Sequence, residues 1–281
     1  MMVINERGDL LGESPSWMDL KRRFYWVDIP SRVYHYLDEN MDMGTMQTAD
    51  VLTSLYPDAK GSLMGTMGNA FIRIDPQSSA IHELASIKLE KGTRFNDGKC
   101  DRNGNYWAGT MDIAEKEPKG RLYVLHKDGK ISELISGLTI SNGLCWNYDT
   151  TTFYHIDTPT KAVRAFDFNM DDPEIWNPRI SIDLSDEAGV PDGMTIDEAG
   201  NLWIAHWGGS HISVWDPDSR KKIGRIKLPA ENITSCSFNG QEETRMLVTS
   251  ARPESGGMIG KMDLGGSTFL LDSGDLREAL R

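Results

Sequence analysis

The sequence predicts an all-β protein, a six-bladed β-propeller with four strands in each blade. Two observations predict it. Short β-rich segments with a bulky residue at a fixed place recur along the chain at intervals of 38 to 48 residues. Helical periodicity is weak, and clusters of turn residues follow the apolar runs. A repeat of about 40–50 residues is typical of a propeller blade.

The bulky residues of the repeat define the first column of equivalent positions. The segments that contain them are rich in aromatic and aliphatic side chains, as strands of a packed sheet are. Because Trp26, Trp107 and Trp203 share one repeat position, we expect them to pack in the core. Six blades follow from the six members of the column, which are Trp26, Met64, Trp107, His155, Trp203 and Leu247.

Turn signals divide each repeat into further strands. Asp128-Gly129 and Asp216-Pro217-Asp218 follow such strands, and these residue types favour hairpin turns. The segments 101–105 and 197–201 resemble calcium loops, but they lack the spacing and the closing Glu of an EF-hand, so we interpret them as hairpin turns. Short helices are expected only at 183–188 and 275–281. No linker divides the chain, which predicts one domain over residues 1–281. A pair of β-sandwiches is a weaker alternative, because it would need no repeat of this length.

Composition excludes several classes of function. The 281 residues include 30 Lys and Arg against 42 Asp and Glu, a formal net charge of −12. This charge disfavours nucleic acid and an anionic membrane surface as partners. The three cysteines form no C-x-x-C pair, and neither a secretion signal nor a long apolar run is evident, so we expect a cytoplasmic protein. The sequence sets no oligomeric state and is compatible with a monomer.

A second column of residues lies 11 to 13 positions before the first. In a propeller, equivalent positions of successive blades form a ring around the central axis. The start of the innermost strands therefore places this column at one mouth of the central channel. Four of its five members carry oxygen donors of the carboxylate or amide type. The column comprises Glu13, Asn96, Asn142, Asp192 and Ser235.

The second column predicts a site for one divalent cation. Carboxylates and amides crowded around a pore are costly to bury without a partner, and a hard cation supplies one. Oxygen ligands favour Ca²⁺, Mg²⁺ or Mn²⁺, with Zn²⁺ also possible. A single Asn-Gly or Asp-Gly pair would be interpreted as a turn. The recurrence of oxygen-bearing residues at nearly the same position in successive repeats favours a metal site instead. The histidines, including His155, His206 and His211, show no metal-ligand spacing.

These segments resemble the SMP-30/gluconolactonase/regucalcin-like family, and the order of the motifs matches over nearly the whole chain. The segment AHWGG (205–209) is most similar to the bacterial sugar-lactonase branch. Each motif is weak alone, but the set is specific. The motifs are LGESP (11–15), RFNDGK (94–99), AGTM (108–111), SNGL (141–144), PDGM (191–194) and TSAR (249–252).

The resemblance implies a function as well as a fold. It implies a metal ion bound by Glu13, Asn142 and Asp192, substrate contacts from Arg94 and Asn96, and Asp192 as the catalytic acid and base. The expected reaction is the hydrolysis of a sugar lactone to the aldonic acid, part of carbohydrate metabolism. The family often has a further substrate-contacting Glu where this chain has the segment 112–119. Which acid of that segment has the role, which sugar is used and which metal is native all stay open.

Two other functions are compatible with the same residues. One is a non-catalytic calcium-binding propeller, against which Arg94 and Asn96 beside the mouth argue. The other is hydrolysis of a different lactone or ester, which apolar pocket walls would favour. We expect the loops between the second and third strands to line the pocket, with His206, Trp207 and the segment 112–119 among its walls.

Overall fold

The computed structural model describes residues 1–253 and 264–280 and consists of six four-stranded antiparallel sheets. The first strands of successive sheets contact one another in order, and the sixth contacts the first, so the sheets form a closed ring. The predicted six-bladed β-propeller is thereby confirmed. The innermost strands are β2 (Gly12–Met18), β6 (Leu52–Pro57), β10 (Thr93–Cys100), β14 (Ser141–Trp146), β18 (Val190–Ile196) and β22 (Asn232–Phe238).

The remaining strands follow outwards in each blade. The second strands are β3 (Arg23–Asp28), β7 (Leu63–Met67), β11 (Tyr106–Asp112), β15 (Thr152–Asp157), β19 (Leu202–Trp207) and β23 (Arg245–Ala251). The third strands are β4 (Val33–Asp38), β8 (Ala70–Ile74), β12 (Gly120–Leu125), β16 (Ala162–Asn169), β20 (His211–Asp216) and β24 (Thr268–Asp272). The outermost strands are β5 (Met43–Gln47), β9 (Ile81–Ser86), β13 (Ile131–Leu138), β17 (Glu174–Asp183), β21 (Lys221–Lys227) and β1 (Met2–Asn5).

Strand β1 closes the ring, because it pairs with β24 and so completes the blade that holds β22 and β23. The first and last parts of the chain thus share one sheet. Such closure leaves only short edges at the rim of each blade.

The core lies between neighbouring blades, where apolar side chains from facing sheets interdigitate. The first column lies on the second strand of each blade, as its spacing predicts. Trp26, Trp107 and Trp203 are almost fully buried in these layers, which confirms their expected packing role. Cys100, Cys145 and Cys236 are free thiols.

The two helix predictions have different outcomes. Helix α1 spans Ser273–Ala279, close to the predicted 275–281; Arg281 lies outside the described residues. The prediction for 183–188 is wrong. Asp183 is the last residue of β17, and its carboxylate accepts a hydrogen bond from the backbone N–H of Ser185. Gly189 has a positive φ of 77°. The segment therefore forms a turn and not a helix. Two single 3₁₀ turns occur at Thr158–Thr160 and Gly240–Glu242. No helix of the described residues is long and apolar enough to cross a membrane.

Candidate active site

Every innermost strand has an irregularity of pairing at the same height in its blade. A β-bulge inserts a residue that has no partner and changes the direction of its side chain. The predicted second column coincides with this level of the propeller. The shifts lie between residues 13 and 16, 52 and 54, 95 and 98, 142 and 144, 191 and 194, and 233 and 235.

Two glycines next to this level allow the innermost strands to approach each other closely. A Cβ on Gly143 would lie 2.7 Å from the carbonyl oxygen of Asp192, and a Cβ on Gly193 would lie 2.1 Å from Oγ of Ser235. Neither neighbour leaves room for a side chain. The glycines after Asn142 and Asp192 therefore permit the close backbone approach that the sequence suggested.

An amide network joins three blades at the mouth. The Asn96 side chain donates from Nδ2 to the carbonyl oxygen of Ser141 (2.9 Å) and to Oδ1 of Asn142 (3.0 Å). Asn142 donates in turn to Oγ1 of Thr158 (2.8 Å), which donates to the carbonyl oxygen of Pro191 (2.9 Å). The network fixes the orientation of the Asn142 amide and ties it to the strand that carries Asp192.

Three carboxylates share this end of the channel. Burial and the negative charge of Asp97 raise the pKa of Glu13 to about 8, although the Ser14 N–H donates to Oε2 (3.1 Å) and the charges of Arg94 and Lys99 oppose the shift. Burial, followed by Glu13 and Asp97, raises the pKa of Asp192 well above its usual range. Burial also raises the pKa of Asp97. The protein alone therefore leaves these charges poorly compensated.

Two cations lie near the carboxylates without neutralising all of them. Arg94 donates from Nη1 to Oδ1 of Asn96 (2.8 Å) and to the carbonyl oxygen of Phe95 (2.9 Å); burial lowers its pKa while Glu13 opposes that shift. The ammonium of Lys99 crosses the channel and donates to the carbonyl oxygen of Met194. Neither forms an ion pair within 4.0 Å with Glu13, Asp97 or Asp192 among the described residues.

The residues at the mouth fit a hard divalent cation. Glu13, Asn142 and Asp192 offer only oxygen donors of the kinds that Ca²⁺, Mg²⁺ and Mn²⁺ prefer. Oδ2 of Asp97 is buried and has no hydrogen-bond partner. A bound cation would compensate these charges, whose burial raises the pKa values described above.

The loop 112–119 provides a further acid, Glu115. Asp112 organises the loop, because its Oδ2 accepts from the backbone N–H groups of Lys116 (3.1 Å) and Glu117 (2.9 Å). Glu115 has a positive φ of 58°. Its negative charge opposes the lowering of the Arg94 pKa by burial and helps to raise the pKa of Asp192. Glu115 is therefore the acid of this loop that lies towards the mouth. The sequence alone did not distinguish it from Glu117 or Asp112.

The remaining blades contribute hydroxyl groups at this level. In the blade of β22 the bulged residue is Thr234, so Ser235 lies one position beyond the place that the spacing assigned. Thr234 donates to the carbonyl oxygen of Gly12 (2.6 Å). In the blade of β6 the bulged residue is Thr53. The sequence did not reveal this member of the column, because no carboxylate or amide marks the position.

A second polar cluster, which the spacing of the histidines in the sequence does not indicate, lies at the blade of β18. Ligand atoms of Glu187, His206 and His211 lie within 4.8 Å of one another, close enough to hold a metal ion. The sequence could not reveal the cluster, because Glu187 enters it from a loop that belongs to neither histidine's strand. Lys222 (2.7 Å) and Arg225 (2.9 Å) already bind the Glu187 carboxylate. These two cations disfavour a divalent ion there.

The same cluster corrects the expected pocket wall. His206 is fully buried, and its Nε2 pairs with Oγ of Ser213 (2.7 Å). Its ring stacks on that of His211 at 4.3 Å between centroids. It therefore packs behind the strand of Asp192, whereas Trp207 is only partly buried at the end of β19.

A sequence model of the SMP-30/Gluconolactonase/LRE-like region matches residues 11–252. The chain belongs to this family. The match confirms the resemblance that the motifs indicated and includes all residues of the second column.

Individual relatives agree with this assignment. The chain is 30% identical to the "Putative sugar lactone lactonase YvrE" of Bacillus subtilis over 95% of its own length and 96% of that protein. It is 34% identical to regucalcin of Oryctolagus cuniculus over 90% and 91% of the two chains. A solved structure described as a calcium-binding protein, regucalcin, from Agrobacterium tumefaciens has a TM-score of 0.89 and 26% identity, covering 96% and 92%. Of these three relatives, the Bacillus subtilis protein is named a lactonase and the other two are named regucalcin.

Proposed function

We propose that the protein hydrolyses a sugar lactone to its aldonic acid at the mouth formed by the bulges of the innermost strands. The proposal is supported by the oxygen donors of Glu13, Asn142 and Asp192 near the start of three innermost strands, where the charges of Glu13, Asp192 and Arg94 act on one another. Membership of the gluconolactonase family and the name of the Bacillus subtilis relative support the reaction class.

The proposed cofactor is one divalent ion held by Glu13, Asn142 and Asp192. Such an ion would polarise the lactone carbonyl and lower the pKa of water bound beside it. The amide network already fixes the Asn142 side chain, with Oδ1 presented next to Asn96. The description of the Agrobacterium tumefaciens relative as calcium-binding supports a metal, and the oxygen donors fit Ca²⁺, Mn²⁺, Mg²⁺ or Zn²⁺.

Asp192 is the proposed general base and acid. Its carboxylate is buried at the mouth among the proposed ligands, where water held by the ion would be within its reach. It would take the proton of the attacking water at a carboxylate oxygen and later donate it to the leaving alkoxide. The guanidinium of Arg94 would stabilise the negative charge that develops on the carbonyl oxygen.

Arg94 and Asn96 are the proposed substrate contacts. Asn96 Oδ1 already accepts from Arg94, which leaves one lone pair for a sugar hydroxyl. Its Nδ2 is occupied by Ser141 and Asn142, so Asn96 also holds the site together. We further propose that Glu115 accepts hydrogen bonds from substrate hydroxyls. We also propose that residues 1–281 form one domain and, because the cysteines are free thiols, that the protein is cytoplasmic.

A non-catalytic calcium-binding propeller is the second candidate, favoured by the calcium-binding description of one relative. It uses the same ligands but gives no role to Arg94. Hydrolysis of a different lactone or ester is the third.

A panel of aldonolactones tests the three functions together. The protein is freed of metal with a chelator and assayed by proton release, before and after Ca²⁺, Mn²⁺, Mg²⁺ or Zn²⁺ is restored. We expect hydrolysis of at least one aldonolactone that is lost with the metal and regained on its return. Asp101→Asn, at the opposite end of β10, serves as the control. Hydrolysis that persists after complete metal removal contradicts the mechanism. Metal binding without hydrolysis of any aldonolactone contradicts the proposed substrate class and supports the second or the third candidate.

A further inference from the structure

Asp97 is the carboxylate at the mouth that has no assigned role. It lies on β10 within the bulge, and its side chain is 7% exposed. Oδ1 accepts from the Gly98 N–H (2.7 Å), whereas Oδ2 is buried without a partner. A buried acceptor with no donor is unusual in a folded protein and calls for a ligand or a bound water.

Asp97 faces the proposed metal ligands. Its negative charge acts on both Glu13 and Asp192, which come from two other blades. It therefore shares their space in the channel.

The oxygen atoms of Glu13, Asp97 and Asp192 do not form a set in which all lie within 4.8 Å of one another. Among residues 1–253 and 264–280, Glu187, His206 and His211 form the one group of three metal-binding side chains of the His, Cys, Asp or Glu type that converges within 4.8 Å. Glu13, Asp97 and Asp192 do not converge in this way. Glu13 and Asp192 are already assigned to the ion in the proposed function, so Asp97 is the carboxylate left for a role beyond the ligands.

We propose that Asp97 is a positioning residue of the metal centre, which accepts a hydrogen bond through Oδ2 from water bound to the ion. The inference rests on the proposed function, because it needs the metal at Glu13, Asn142 and Asp192. Acceptors beyond the ligands orient what is bound to the ion, and their loss typically weakens metal affinity by about 10–100-fold.

The chain offers a matched control four residues away. Asp101 follows the same strand and is equally buried, at 5% exposure. Its carboxylate is saturated locally: Oδ1 accepts from the Asn105 N–H (2.9 Å), and Oδ2 accepts from Asn105 Nδ2 (2.8 Å) and Trp107 Nε1 (3.0 Å). The two aspartates differ in whether the protein supplies their donors.

Calorimetric titration with Ca²⁺ and with Mn²⁺ tests the inference on wild type, Asp97→Asn, Asp97→Ser and Asp101→Asn. The titrations of all four proteins are run at the same pH. We expect both Asp97 variants to bind about 10–100-fold more weakly while their unfolding midpoints in urea, without metal, are equal to or above that of wild type. Asp101→Asn should show the reverse, an unchanged Kd and a lower midpoint.

Each other result overturns a specific claim. A Kd within twofold of wild type in a folded Asp97 variant contradicts the role of Asp97 and leaves the metal site intact. No binding by wild-type protein contradicts the proposed metal site and this inference with it. If Asp97→Asn and Asp101→Asn weaken metal binding equally, the loss of affinity reflects general destabilisation of the protein, and the specific role of Asp97 is contradicted.

Discussion

The two ends of the innermost strands use the same residue types for different purposes. Where β10 and β18 end, Asp101 and Asp197 each accept from an Asn side chain and from a buried indole N–H, that of Trp107 or Trp203. Where these strands begin, Asp97 and Asp192 lack such complete sets of donors, and burial raises their pKa values.

The difference separates structural carboxylates from those available to a ligand. At the turns, each charge is stabilised by donors within a few residues, so the turn forms without outside help. At the mouth, the donors are missing because the neighbouring strands carry further oxygen atoms. Composition alone cannot distinguish the two ends, whereas an account of hydrogen-bond partners can.

The largest expected effect is the loss of catalysis in Asp192→Asn. The amide keeps the shape of the side chain but cannot accept the proton of water, and we expect kcat to fall by about 10²–10⁴-fold. Steady-state assays with the best aldonolactone measure the loss, and near-UV circular dichroism checks the fold. Activity within tenfold of wild type in a folded variant would remove Asp192 from the proposed chemistry.

An intermediate effect is expected at the opposite end, in Asp197→Asn. The new amide keeps one acceptor oxygen. Either the Asn201 backbone N–H, which donates to Oδ1, loses its acceptor, or the Trp203 indole and the Asn201 side chain, which share Oδ2, lose theirs. We expect the free energy of unfolding to fall by about 1–3 kcal/mol, measured by urea denaturation, with kcat unchanged. A lower kcat with an unchanged free energy of unfolding would mean that Asp197 serves catalysis and not stability, which contradicts the structural role of this end of the strand.

The effect that is smallest at neutral pH concerns His155, a buried residue that pairs through Nε2 with Oγ of Ser141 (2.8 Å). Burial, with a contribution from Arg164, lowers its pKa from 6.5 to about 3. Between these values the unfolded chain binds a proton that the native protein does not, so stability falls as the pH drops below 6.5, by at most about 1.4 kcal/mol per pH unit.

Replacing His155 by Gln should remove that contribution. Urea denaturation of both proteins between pH 6.5 and pH 4 is expected to show a shallower loss of stability in the variant. Identical slopes would mean that His155 does not titrate on unfolding in this range.

The sequence predicted the fold well because a propeller repeats one local pattern. Trp26, Trp107 and Trp203 marked the second strands, and their regular spacing was sufficient to count the blades. The second column was found for the same reason. Thr53 was missed and Ser235 was placed one residue too far, because a bulge shifts the pairing without changing the residue types.

What the sequence could not supply depends on contacts between distant segments. Glu187 meets His211, Lys222 and Arg225 only through the packing of a loop against β20 and β21. The orientation of Glu115 towards Arg94 likewise depends on how Asp112 folds its loop. The missing partner of Asp97 became visible only when the donors around it could be counted.

The central claim is that oxygen donors from distant parts of the chain bind one ion at the mouth of the channel. Crystals soaked in Mn²⁺ and measured near the manganese absorption edge test it directly. The account predicts an anomalous difference peak beside Glu13, Asn142 and Asp192. A peak between Glu187, His206 and His211, with none at the mouth, would contradict it.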